Sequence, residues 1–289
     1  MSHLLRAIIE PGFFSSASVQ LAAAVGGLVA VVAAAVGVFT VVRGQAFAGE
    51  ALGDIGAAGG SSAYLIGIAP LWGFIGIAVA AAGVMEMIGI QRARGRDLAT
   101  GIVLGAGFGL AALLLYLGTT FNNTTGATVT ILFGSIFALD RSILPAAVVF
   151  GVIALGIVTA LYRPLLLSSV SPDLAAARGI PVRLVGSLYL VAIAVAVALS
   201  AVTIGAILST ALLIGPAAAA LQLTARPGRA VAAAAAIGLA AIWLGLLLAY
   251  DSYYWPPHHR GWPVSFFVVT LVLLAYLASR ALGRRRARR

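Results

Sequence analysis

Long apolar runs separated by short polar or basic breaks fill almost the whole chain. A helix that crosses a bilayer needs about 20 mainly apolar residues. Nine stretches fit that pattern, at roughly 18–42, 46–68, 70–90, 99–120, 145–162, 183–202, 205–224, 229–250 and 264–282. The second and third meet at Ile68-Ala69-Pro70, where a proline suits the first turn of a new helix. The stretch 122–144 is apolar in the middle but short, and it contains Gly126 and Gly134. It reads as a partial helix dipping in from one surface, which is tolerated only when buried in protein. The expected fold is all-α: a polytopic membrane helical bundle of about nine spans, with eight as the variant if the first segment runs differently. Residues 1–289 read as one membrane domain, with no soluble linker, low-complexity tract or convincing internal repeat. Small residues are abundant inside the spans, and they let helices approach closely where hydrophobicity cannot drive association.

Composition narrows the function. Of 289 residues, 62% are hydrophobic and 9% charged, with a mean hydropathy of +1.10. A soluble domain is about 25% charged, so a soluble enzyme is excluded, and disorder with it. All 18 basic residues are arginine. Without lysine there is no P-loop and no Schiff base. Without cysteine there is no disulfide, thiolate metal site or thiol nucleophile. A net charge of +10 on a soluble protein would suggest nucleic acid. Here the arginines sit between spans and no aromatic platforms interleave with them, so no nucleic-acid partner is expected.

The arginines instead set an orientation. With the C-terminus inside, 15 of them fall on inner loops, and Arg6, Arg141 and Arg260 fall outside. A fully spanning 122–144 would break this alternation. The N-terminus is then outside. Residues 1–14 read as a short interfacial segment, because Glu10 and Pro11 interrupt the apolar run and no cleavage site follows. The arginine-rich tail suits a cytoplasmic anchor on anionic lipid.

The densest chemistry lies at Phe47-Ala48-Gly49-Glu50-Ala51-Leu52-Gly53-Asp54. Glu50 and Asp54 are four apart and share a helical face. A carboxylate near the membrane centre costs about 2.5–3.5 kcal/mol or more, and such residues usually face a pathway or partner. Two on one face suit a cation or proton between them. In a two-fold dimer, two such faces would meet and present four carboxylates, a set that binds Mn²⁺ and also Zn²⁺. The plainer reading is two carboxylates solvated near the inner headgroups. Gly49/Gly53 and Gly56/Gly60 each form G-x-x-x-G, a packing motif that also leaves room beside the carboxylates.

The inner loop RPLLLSSVSPDLAAARGIPVR (163–183) carries helix punctuation. Ser171 is placed to cap, Pro172 to fill the first turn, and Gly179 with Pro181 to stop the helix. A short amphipathic helix here is either a membrane-surface element or a dock for a cytoplasmic partner.

Four stretches, in order, resemble the permease subunits of the bacterial zinc/manganese ABC importer family. FAGEALGDIGAAGG is similar to the family's second-helix motif, and ILFGSIFALDRSIL to its outer partial helix. SPDLAAARGIPVR is similar to its coupling helix, and GAILSTALLIGPAAAALQL to its glycine-to-proline helix. The resemblance implies a type II-like importer permease in the bacterial cytoplasmic membrane. It implies a homodimer, separate cytoplasmic ABC ATPase subunits and an extracytoplasmic metal-binding protein. The chain itself would bind no cofactor and catalyse nothing; its cargo would be a divalent metal, Zn or Mn. Glu50 and Asp54 match the family's metal-contacting positions. Asp54 stands where members often carry His, a departure that leaves the choice of metal open. Ser171, Pro172, Asp173, Ala177 and Gly179 match the ATPase-coupling helix.

Other candidates are at the outer side. His258 and His259 follow a Tyr, Trp and Pro cluster; they read as part of a metal entrance or as neighbours of an interfacial aromatic belt. Asp251 reads as an entrance residue or a solvated loop residue. Glu86 is expected to pair locally with Arg92, and Asp97 to cap the following helix. The competing function is a proton- or ion-coupled secondary transporter using the same carboxylates. Such folds often carry matched broken helices, and no matched pair is visible. An intramembrane enzyme finds no support, since His is confined to residues 3, 258 and 259.

Overall fold

The computed structural model describes residues 13–88, 93–122, 125–255 and 261–287. The interfacial segment expected at 1–14 lies outside them except for its last two residues. Among the described residues every regular element is helical. The order is α1 (Ala17–Val42), α2 (Ala46–Leu65), α3 (Pro70–Ile88), α4 (Ala93–Asn122) and α5 (Thr125–Phe133), then a 3-10 turn (Ile136–Ala138). There follow α6 (Ile143–Ala160), α7 (Tyr162–Val170), α8 (Pro172–Ala177), α9 (Val182–Ile204), α10 (Ala206–Leu223), α11 (Pro227–Ser252) and α12 (Val264–Ala287).

The nine expected spans appear as α1, α2, α3, α4, α6, α9, α10, α11 and α12. Eight of them are long and apolar enough to cross a membrane. The exception is α2, which at 20 residues has the length but is diluted by Glu50, Asp54 and glycine. Two boundaries differ from expectation. The helix α4 begins at Ala93, so Asp97 lies inside it and is not a cap. The loop after α6 holds two helices, α7 and α8, where one was expected.

Short connections make successive spans alternate in direction. The α1–α2, α3–α4, α6–α9 and α10–α11 connections share one end with the C-terminal arginines, hereafter the arginine-rich end. The helices α1 and α9 form the buried centre: 78% of the apolar window of each is buried, against 22% for α4 and α6. The faces of α4 and α6 are therefore left for lipid or protein. The polar helix α2 packs against α3, α4, α9 and α10, so protein shields most of it, Phe47 and Glu50 excepted.

Glycine makes that packing close. A Cβ at Gly107 of α4 would lie 2.7 Å from the Ile55 backbone nitrogen of α2. A Cβ at Gly53 would lie 3.0 Å from Val197 of α9 and 3.1 Å from the Ser209 hydroxyl of α10. Gly59 of α2 faces Gly73 of α3 backbone to backbone, and Gly60 lies under the Phe74 ring. The two G-x-x-x-G motifs thus serve different neighbours: Gly49/Gly53 face α9 and α10, and Gly56/Gly60 face α3.

The stretch 122–144 is a partial helix. The nine-residue α5 ends at Gly134 and packs against α2, α4, α9 and α10. Its end rests on Gly205, the single residue between α9 and α10. Gly205 adopts φ 93° and ψ 156°, a region essentially restricted to glycine. A Cβ on Gly134 would meet the Gly205 backbone nitrogen at 2.5 Å. Protein contact at this break accounts for a non-spanning segment at this depth.

Candidate functional site

The helix α2 starts from a tight reversal after α1. The Gly44 N–H donates to the Val41 carbonyl at 3.1 Å, and the Gln45 N–H donates to the Thr40 carbonyl at 2.9 Å. This is the Schellman pattern, with Gly44 at φ 64° in the left-handed position it requires. It launches α2 back from the arginine-rich end. At 1.5 Å per residue, Glu50 lies about 6 Å and Asp54 about 12 Å along a helix of about 29 Å. Asp54 is therefore near mid-depth.

The two carboxylates differ in surroundings. Asp54 is 8% exposed, and its Oδ2 is buried without a hydrogen-bond partner. The backbone around it is clasped by Gly107 of α4, while Gly53 beside it meets α9 and α10. Glu50 is exposed. Phe47, one turn earlier on the same stripe, is 71% exposed. The stripe Phe47–Glu50–Asp54 therefore runs from an open surface into a buried position. Among the described residues no three of His, Cys, Asp and Glu converge. One copy thus brings together two carboxylates, and four would need a second copy.

The residues of 171–180 form the capped helix that the punctuation predicts. Ser171 accepts from the Leu174 N–H at 3.3 Å, and Pro172 opens α8. Asp173 lies exposed in the first turn, the end of a helix that favours negative charge. The Gly179 N–H donates to the Ala176 carbonyl at 2.9 Å, and the Ile180 N–H to the Ala175 carbonyl at 3.0 Å, ending the helix. Ala175 is buried, while Ala177 and Gly179 are exposed. Leu174 is 60% and Val170 84% exposed. Both lie at the arginine-rich end, on the segment that the sequence reads as either a membrane-surface element or a dock.

Asp251 is not brought to α2. Asp251 lies in the last turn of α11, at the opposite end, and is 6% exposed. This corrects its reading as a solvated loop residue. The chain folds back over the end of α11: the Trp262 N–H donates to the Ser252 hydroxyl at 2.8 Å, and Trp255 and Trp262 both pack on Phe267. His258 and His259 lie outside the described residues, as does Arg92, the expected partner of Glu86.

Two features escaped the sequence. One is a cavity of about 400 Å³ at the opposite end, lined by Tyr64, Trp72, Ile131, Asp140 and Ala201 among others. Its rim carboxylate, Asp140, is held below the usual range by the Ser142 backbone N–H at 2.8 Å and the Ser142 hydroxyl. The other is Arg43. Sequence reads it only as an orienting charge, yet it bonds across the arginine-rich end to Ser168. A lone arginine before a Gly-Gln turn gives no signal of such a distant partner.

A bundle of long apolar helices, one of them carrying two carboxylates on one stripe, with an exposed helix at its basic end, defines a multi-pass membrane protein. Residues 15–279 match the model of the ABC 3 transport family. The chain belongs to that family. It is 32% identical over 199 residues to the manganese transport system membrane protein MntC of Halalkalibacterium halodurans, covering 69% of this chain and 67% of that one. It is 26% identical over 229 residues to the high-affinity zinc uptake system membrane protein ZnuB of Haemophilus influenzae, covering 78% and 87%. Its fold superposes on a chain of PsaBC from Streptococcus pneumoniae in complex with Fab with a TM-score of 0.75 and 25% identity, covering 93% and 92%. The importer resemblance and the all-α permease fold inferred from the sequence stand.

Proposed function

We propose that this chain is the permease subunit of an ATP-driven importer for a divalent metal ion, manganese or zinc, in a bacterial cytoplasmic membrane. The observation that carries the reading is the stripe Phe47–Glu50–Asp54. A bare glutamate within a span, on an uncovered face, is costly against lipid. A second copy related by a two-fold axis would cover it. The paired stripes would then line one path with four carboxylates. Asp54, with an unsatisfied oxygen near mid-depth, would exchange water for metal and back. Oxygen donors favour the harder manganese ion. Passage needs only transient binding, so zinc remains the second cargo, and the relatives' names include both metals.

The remaining parts follow from chemistry the chain lacks. With no lysine it has no P-loop of its own, so the energy would come from a separate ATPase seated on α7 and α8 through Val170 and Leu174. Rocking of the two copies would open the carboxylates to each side in turn. A metal-binding protein would deliver the ion at the end opposite the arginines, where Asp251 lies. The arginine-rich C-terminus would lie in the cytoplasm against anionic lipid.

The test is uptake by proteoliposomes holding this chain, its ATPase and its binding protein. Labelled manganese or zinc is expected to accumulate only when ATP is hydrolysed. Uptake by this chain alone, driven by a proton or ion gradient, would mean a secondary transporter.

A further inference from the structure

We propose that Arg43 is a positioning residue that transmits motion from α7 and α8 to the carboxylate helix α2. The inference rests on the transport reading above and names the linkage that reading leaves open. Arg43 caps the C-terminus of α1. Its Nη1 donates to the Ser168 hydroxyl of α7 at 2.8 Å, and its Nε donates to the Gln45 side-chain oxygen at 3.4 Å. Its guanidinium lies over the Tyr189 ring of α9, 5.5 Å from the centroid. One side chain therefore touches residues of α7 and α9 and the residue that opens α2.

The surroundings show which of these contacts can move. Tyr189 is fully buried, and its hydroxyl donates to the Val36 carbonyl at 2.7 Å and pairs with the Thr40 hydroxyl at 2.8 Å. Those bonds lock α9 to α1 and give Arg43 a fixed ring to stack on. Ser168 and Gln45 are buried while Arg43 is half-buried, so both hydrogen bonds are partly shielded from water. Ser168 lies on α7 just before Ser171, the cap of α8. Gln45 stands just before the first turn of α2, with Glu50 and Asp54 one and two turns further on. The polar chain Ser168–Arg43–Gln45 thus joins α7, which leads into α8, to the start of the carboxylate helix α2. The short bond to Ser168 would carry Arg43 with α7, and the long one to Gln45 would form or break with a shift of about 1 Å. Lysine could replace it only in part, because only the planar guanidinium bonds in two directions while stacking on a ring.

The experiment uses the reconstituted importer and reads metal moved per ATP hydrolysed, with labelled manganese as the probe. Arg43→Met is expected to lower that ratio by about tenfold, the scale of a typical coupling free energy, while ATP hydrolysis and thermal stability persist. Ser168→Ala, which leaves the cation in place, is expected to lower it less. Adding it to Arg43→Met should change nothing further, since both remove one interaction. Arg43→Lys should restore only part of the ratio. An unchanged ratio in both single variants would overturn the inference. So would a fall of uptake and hydrolysis together, in proportion to folded protein, because that marks a merely structural role. Wild-type vesicles without ATP-dependent uptake would instead overturn the transport reading, and this inference with it.

Discussion

Converting Glu50 to Gln and Asp54 to Asn in the same chain should reduce metal uptake to the vesicle background while the subunit still inserts and assembles. On the proposed path each carboxylate would supply charge-assisted contacts of about 1.5–3 kcal/mol to a cation in passage. Losing both implies a fall of at least about 100-fold, since each 1.4 kcal/mol is a factor of ten. Stability should move the other way. Asp54 holds a buried oxygen with no hydrogen-bond partner, and a buried charge without compensation is expensive. The amide carries no charge, so the melting temperature should hold or rise. That opposition separates a transport role from a packing role, in which uptake and stability would fall together. Normal uptake in the double variant, measured with labelled manganese and zinc, would remove the site assignment.

The second large effect is expected at α8. Ala176→Pro removes a backbone donor inside a helix of six residues and pushes the proline ring toward the carbonyl of Pro172. An interior proline costs about 3 kcal/mol, more than so short a helix can absorb. The side chain of Ala176 is exposed, and the spans do not depend on it. The subunit should therefore still insert and melt as wild type, but uptake should be lost and ATP hydrolysis should no longer respond to loaded binding protein. Ala176→Ser keeps the helix and should behave as wild type. Uptake by Ala176→Pro at the wild-type rate would show that α8 is only a surface helix.

What could be read from the sequence was what local chemistry encodes. Apolar length predicted every helix long and apolar enough to cross a membrane, and it also placed α2, whose hydropathy does not qualify. The Ser-Pro start and Gly stop of α8 are short-range signals, and the helix lies where they placed it. The i, i+4 spacing put Glu50 and Asp54 on one stripe, but it could not say that the first would be exposed and the second buried. That difference comes from Gly53 and Gly107, which bring α9, α10 and α4 against α2 at the depth of Asp54. Tertiary features were missed for the same reason. Arg43 bonds a residue 125 positions away, and Asp251 is buried at a helix end over which residues near Trp262 fold back. The end of α7 is legible only in hindsight, since nothing in LYRPLLLSSV separates it from the helix that follows until Ser171 and Pro172.

The claim that matters most is that Asp54 lines a path opened to water from each end in turn. The chain contains no cysteine, so Asp54→Cys places a single thiol at that position. The decisive measurement is its labelling by a membrane-impermeant thiol reagent applied separately to each side of the assembled importer, nucleotide-free and trapped with ATP. The account predicts that the thiol reacts from one side in one state and from the other side in the other. A thiol that stays unreactive from both sides in both states would contradict it and leave Asp54 a residue buried by packing alone.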